Sequence, residues 1–143
     1  MLRRMKAALF MTRAQQRAAR KEYDLAMADV RRCYKLVGKD YGSDKAPVHL
    51  NILAALIALR TGAYDLCIGS STVAIVQLRE GRGRYSRAER AHLDRYARIV
   101  AERAAYLGGS AVPWVTSATS REQIPGRVSH YVRTSFPLSE HAP

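Results

Sequence analysis

From His49 to Leu78 the chain carries two apolar segments joined by Arg60-Thr61-Gly62-Ala63, and the remaining hydrophobic pattern is arranged around them. Leu50 to Leu59 is apolar apart from Asn51 at its edge, so a helix there has no polar face to offer water and belongs between other elements. Arg60, Gly62 and Asp65 interrupt the run well short of the roughly 18–20 apolar residues of a membrane span, which leaves a central core helix. After Gly62, the residues Tyr64, Cys67, Ile68, Ser71, Ala74, Ile75 and Leu78 recur at the spacing of one helical face. Tyr23, Ala26, Met27, Val30, Cys33, Tyr34 and Val37 repeat that spacing, and Tyr23 to Tyr64 sets a period of 41 residues. A strand is the rival reading for Ser71 to Val76, since Ser, Thr, Val and Ile are weak helix formers. The shared helical spacing favours a helix.

The same pattern places the other elements. Neither proline nor glycine occurs before Gly38, which predicts one helix over about residues 6–37, closed by Gly38 as a C-terminal cap. Asp44 and Pro47 suit the start of a helix over 47–61, and the second core segment predicts another over 63–79. Gly81-Arg82-Gly83-Arg84-Tyr85 reads as a turn. Ser86 with Glu89 makes a capping box that opens a helix over 86–107, stopped by Gly108-Gly109. Leu93, Tyr96, Ala97, Val100, Ala104 and Leu107 form its buried stripe, with Arg87, Arg90, Arg95 and Arg98 facing outward. Beyond Gly109 the chain reads as an extended arm or small hairpin with a Pro125-Gly126 turn, pinned to the helices by Trp114 and Phe136.

The stretch LAALIALRTGAYDLCIGSSTVAI, residues 53–75, resembles a tetratricopeptide (TPR) unit. It has a first helix with small Ala55 at a helix crossing, a Gly62-x-Tyr64-Asp65 turn, and a second helix with small residues seven apart at Cys67 and Ala74. The earlier copy keeps Tyr23-Asp24 and the small pair Ala26 and Cys33. The resemblance covers residues 23–80 and departs from the family in three ways. The period exceeds the usual value of about 34, the extra residues fitting the polar linker Gly38 to Lys45. The position of the large aromatic falls at Asn51, and the closing proline is absent. What the resemblance implies is a fold and no ligand. The expected architecture is all-α: antiparallel helical hairpins of about four helices, as a TPR-like right-handed array or an irregular bundle, with an extended C-terminal arm. Three regions follow: a basic helical arm over 1–21, a helical core over 22–109, and a tail or small hairpin over 110–143.

Charge changes the picture at the ends. The net charge is +12. Residues 1–21 hold Arg3, Arg4, Lys6, Arg13, Arg17, Arg20 and Lys21 without an acid, residues 22–81 balance, and residues 82–107 contribute +4. The N-terminal segment is either a solvated basic helix end or an arm for nucleic acid or another anionic surface. Ala7 to Met11 is too short for a signal-peptide core. The expected location is the cytoplasm, or the mitochondrial matrix if the arginine-rich start is a presequence. Cys33 and Cys67 lie on apolar faces, where a free cysteine acts as a small hydrophobe, so a reducing compartment is expected.

Catalytic chemistry finds little to use. His49, His92, His130 and His141 are scattered, Ser70-Ser71 lacks the glycine frame of a nucleophile elbow, and Asp24 and Asp65 sit at turns. The expectation is therefore a protein with no catalytic residues, no metal and no cofactor. The best constellation is Arg79, Arg82, Arg84, Ser86 and Arg87 at a helix start, extended by Arg95 and Arg98. Unpaired N–H groups at a helix N-terminus and forked guanidinium groups suit phosphate, so these residues form a candidate phosphate or nucleic-acid site. The competing explanation is a capped turn whose charge serves solubility. Two function classes follow. One is a non-enzymatic helical scaffold or adaptor that binds another protein within a multi-subunit assembly. The other is an RNA- or DNA-binding or ribonucleoprotein component using its basic ends, with Tyr41 and Tyr85 placed to stack on bases.

Overall fold

A computed structural model describes residues 2–37 and 44–108. The chain forms five helices: α1 (Leu2–Ala19), α2 (Tyr23–Leu36), α3 (Val48–Thr61), α4 (Tyr64–Arg79) and α5 (Arg87–Gly108). The described residues contain no strand, so the Ser71 to Val76 segment is helical. α1 packs on α2, α3 packs on α4, and α5 lies along α4. α3 touches all four other helices, and every residue from Leu50 to Leu59 is buried. A helix without a polar face has found the one position where it needs none. Ile52, Leu53, Leu56 and Ile57 fill its surroundings, each contributing about 1.5–3 kcal/mol through burial. Among the described residues no helix is long and apolar enough to cross a membrane.

The single helix expected over 6–37 is two helices, broken at Arg20–Glu22. Lys21 takes a left-handed φ of 63°. The Glu22 N–H donates to the Arg17 carbonyl at 2.9 Å and the Lys21 N–H to the Ala18 carbonyl at 2.9 Å, which closes the end of α1 and reverses the chain. No glycine or proline announces this turn. Packing decides it: the reversal lays Ala14 and Ala18 against α2, whereas a straight continuation would leave that face in water. Gly62 closes α3 in the same way with φ 81°, the Ala63 N–H donating to the Ala58 carbonyl at 2.9 Å. Lys21 and Gly62 are equivalent positions of the sequence repeat. Both turns close on one residue of positive φ.

Asn51, read from the sequence as an edge residue, is completely buried. It accepts a hydrogen bond from the Tyr34 hydroxyl, and its Nδ2 donates to Gln77 Oε1 at 3.0 Å. Gln77 Nε2 in turn donates to the carbonyls of Asp44 at 2.8 Å and Ala46 at 2.6 Å. This chain of polar groups ties α2, α3, α4 and the approach to α3 together through the core. In α5, Tyr96, Ala97, Val100 and Ala104 are buried as expected and Leu93 is half-buried, but Leu107 is 43 % exposed. Ile99, Ala101 and Ala105 are buried as well, because α5 packs against both α4 and α3 and so buries a wider face. The Gly38 cap, the linker with Tyr41, and the tail with Trp114, His130, Phe136 and His141 lie outside the described residues.

Candidate polyanion-binding surface

The turn between α4 and α5 organises the basic residues. Gly81 and Gly83 both have positive φ, 79° and 84°. A Cβ on Gly83 would stand 2.4 Å from the Tyr85 ring, so only glycine fits there. Arg90 reaches back from α5 and donates to the carbonyls of Leu78 at 3.0 Å, Arg82 at 2.7 Å and Gly83 at 2.9 Å. Its guanidinium also lies 5.8 Å from the Tyr85 ring centroid. Ser86 and Glu89 form the expected reciprocal cap: the Glu89 N–H donates to Ser86 Oγ at 3.1 Å and the Ser86 N–H to Glu89 Oε1 at 3.3 Å. Ser86 is thus committed to the helix end. Arg82 donates to the Asp44 carbonyl at 2.9 Å and braces the turn against the approach to α3.

Four of the seven residues singled out for phosphate come together in one groove along α4 and α5. It has a volume of about 520 Å³ and is lined by Arg79, Arg87, Arg95 and Arg98, with Arg90, Asp94, Leu78 and Ala91. Asp94 holds Arg98 at 2.7 Å and Arg79 at 3.6 Å. Burial pushes the Asp94 carboxyl up, against the pull of Arg79. Five arginines around one carboxylate leave the groove strongly positive. The two remaining arginines, Arg82 and Arg84, belong to a neighbouring groove of about 460 Å³ with Lys45, His49 and Tyr85. A third groove, about 670 Å³, shares Lys45, Pro47 and His49 with it and adds Arg3 and Arg4 over a floor including Met11, Leu36 and Leu50.

The basic N-terminal set divides by role. Arg3 and Arg4 line the third groove, while Arg20 and Lys21 sit at the far end of α1 in the hairpin turn. Arg13 and Arg17 point to α2, where the buried Asp29 accepts from Arg13 at 2.7 and 3.0 Å, from Arg17 at 2.9 Å and from Arg32 at 3.1 Å. Phe10 lies beneath Arg13 and Arg32, 4.9 and 5.6 Å from its ring centroid. Sequence reasoning missed three residues of this surface. Lys45 and His49 precede or open α3 and are distant in sequence from Arg3 and Arg84; Arg90 was placed on a solvated face, yet it is the clasp of the turn.

Chemically this surface presents guanidinium and ammonium groups, whose charge and donor geometry suit anions. Desolvation lowers the His49 pKa, so at neutral pH the ring offers hydrogen bonds and no charge. Cys33 and Cys67 are free and buried, with burial pushing their thiols up to about 11 and about 12, far from thiolate reactivity at neutral pH. Among the described residues no cluster of three His, Cys, Asp or Glu side chains is arranged to hold a metal ion. Comparison with family models, with curated proteins and with solved structures finds no match for the chain.

Proposed function

We propose that the protein is a non-enzymatic helical scaffold that works within a larger assembly by docking an acidic partner on its arginine-lined face. One observation carries the reading: Arg79, Arg87, Arg95 and Arg98 converge with Arg90 on one groove around a single carboxylate. Partner carboxylates or phosphates would take the place of Asp94 on Arg79 and Arg98, forking onto the guanidinium groups. In this reading the α1/α2 and α3/α4 hairpins are the TPR-like units suggested by the repeat. A cytoplasmic location goes with the two free, buried thiols.

A second reading, contact with RNA or DNA, is favoured by the continuation of positive surface past Tyr85 through Arg84, Arg82 and Lys45 to Arg3 and Arg4. Such a track would follow a phosphate backbone, with Tyr85 beside it. The experiment is a capture from source lysate with and without nuclease, repeated with Arg79→Gln, Arg87→Gln and Arg95→Gln combined. Capture of protein that survives nuclease and falls in the triple variant is expected. Loss of all partners on nuclease treatment favours nucleic acid instead, and three lost phosphate contacts should then lower the logarithmic salt slope by about two to three. A triple variant that captures the parent's partners unchanged rules out the groove.

A further inference from the structure

The third groove, about 670 Å³, opens where the start of α1 and the end of α2 meet the start of α3. Cys33 Sγ donates to the Ala7 carbonyl at 3.3 Å and holds α2 close to α1 there, beside the small side chains of Ala7 and Ala8. Met11, Leu36 and Val37 line the groove and are only half-buried, so its floor keeps apolar surface open, with Leu50 beside them. Arg3 and Arg4 stand one turn before Ala7 and Ala8 on the same face of α1, and Lys45 lines the groove from the segment before α3. The arginines around Asp29 and Asp94 are balanced from within the fold. Here the balance is missing. Among the described residues no carboxylate lines this groove, and neither Arg3 nor Arg4 has an ion-pair partner.

We propose, independently of the docking face on α4 and α5, that this groove binds a small amphipathic anion, a fatty carboxylate. The alkyl chain lies on Met11, Leu36, Val37 and Leu50, while the carboxylate meets Arg3 and Arg4, whose forked donors match its two oxygens. An apolar floor with a few converging polar groups, in a volume within the range of about 300–1,000 Å³, is the usual make-up of a small-ligand site. Rim and floor together select this occupant. A phosphate backbone would use the rim and leave the floor in water, and a second copy of the chain, at +12, would bring like charge to the rim.

Titration calorimetry of the full chain with octanoate, hexanoate and 1-octanol tests the proposal. Octanoate should bind about tenfold tighter than hexanoate, because two methylenes are added to the buried chain. It should also bind about tenfold tighter than 1-octanol, which lacks the charge. Arg3→Gln with Arg4→Gln should bring octanoate down to the affinity of 1-octanol. Ala8→Glu sets a competing carboxylate one turn from Arg4 and should weaken octanoate about tenfold or more. Position 8 is exposed, so the helical circular dichroism should be unchanged. Amide chemical-shift changes with octanoate should concentrate at Ala7, Ala8, Leu36 and Val37. Arg87→Gln with Arg95→Gln should leave octanoate binding at the parent level, which separates this site from the docking face. Absence of octanoate binding, or equal affinity for octanoate and either comparison ligand, overturns the proposal. So does loss of octanoate binding only in the Arg87 and Arg95 variant. A parent dimer that Ala8→Glu dissolves, without octanoate binding, assigns the groove to a second copy and overturns it as well.

Discussion

Asp29 has no exposed surface, yet it stays ionised, because three guanidinium groups reach its two oxygens. Burial by itself would raise its pKa; the hydrogen bonds and charges of Arg13, Arg17 and Arg32 outweigh that and hold it below the usual carboxylate value. The sign of the linkage follows. A depressed carboxylate stabilises the folded state above its unfolded pKa, and that contribution is lost as pH falls through the folded value. Asp29→Asn should cost about 2 kcal/mol near neutral pH, less than a fully buried pair would, because the partly exposed arginines regain water. Denaturant melts should show the parent losing stability as pH falls through and below the ordinary carboxylate range, with a flatter dependence in the variant. An unchanged pH profile would mean that Asp29 does not fasten α1. Neither the aspartate nor its partners stand out in the sequence, since Arg13 and Arg17 read as members of a charge run.

At the scale of elements, the two hairpin turns are an experiment in the same geometry with different residues. Lys21 holds a left-handed conformation that costs an L side chain about 1–2 kcal/mol, and Gly62 holds it freely. Lys21→Gly removes this strain and adds backbone entropy to the unfolded chain, so a net gain of up to about 1 kcal/mol is expected. Lys21→Pro forbids the φ angle and removes the N–H that binds the Ala18 carbonyl, and it should cost about 3 kcal/mol or more. Thermal melts distinguish the two; a loss with glycine would show that the lysine side chain matters more than its backbone. The capping box is the contrasting element, legible from Ser86 and Glu89 alone, and Ser86→Ala should cost about 1 kcal/mol.

For the whole molecule, α3 is the contact shared by all the other helices, so damage there is not local. Leu53→Asp puts a charge among fully buried side chains and should abolish the cooperative transition, whereas Arg95→Ala on the exposed rim of the groove should melt near the parent temperature. Circular dichroism on heating checks both. Equal shifts would mean that the helix faces are misassigned.

The sequence by itself determined which segments are helices and which one is central, because a segment with no polar face has one physical solution. It also determined the glycine turns and the cap, where the chemistry of one or two residues decides the backbone. Tertiary structure alone decided three things. It broke the first helix at Lys21, since burying Ala14 and Ala18 outweighs the strain of one left-handed residue. It made Asn51 a buried hub, because only the fold brings Tyr34 and Gln77 within reach. It also sorted the arginines: Arg13, Arg17, Arg82 and Arg90 are held by groups distant in sequence or by the folded turn, while Arg79, Arg87, Arg95 and Arg98 gather along one groove. Charge is legible residue by residue, but its partners lie wherever the packed helices bring them.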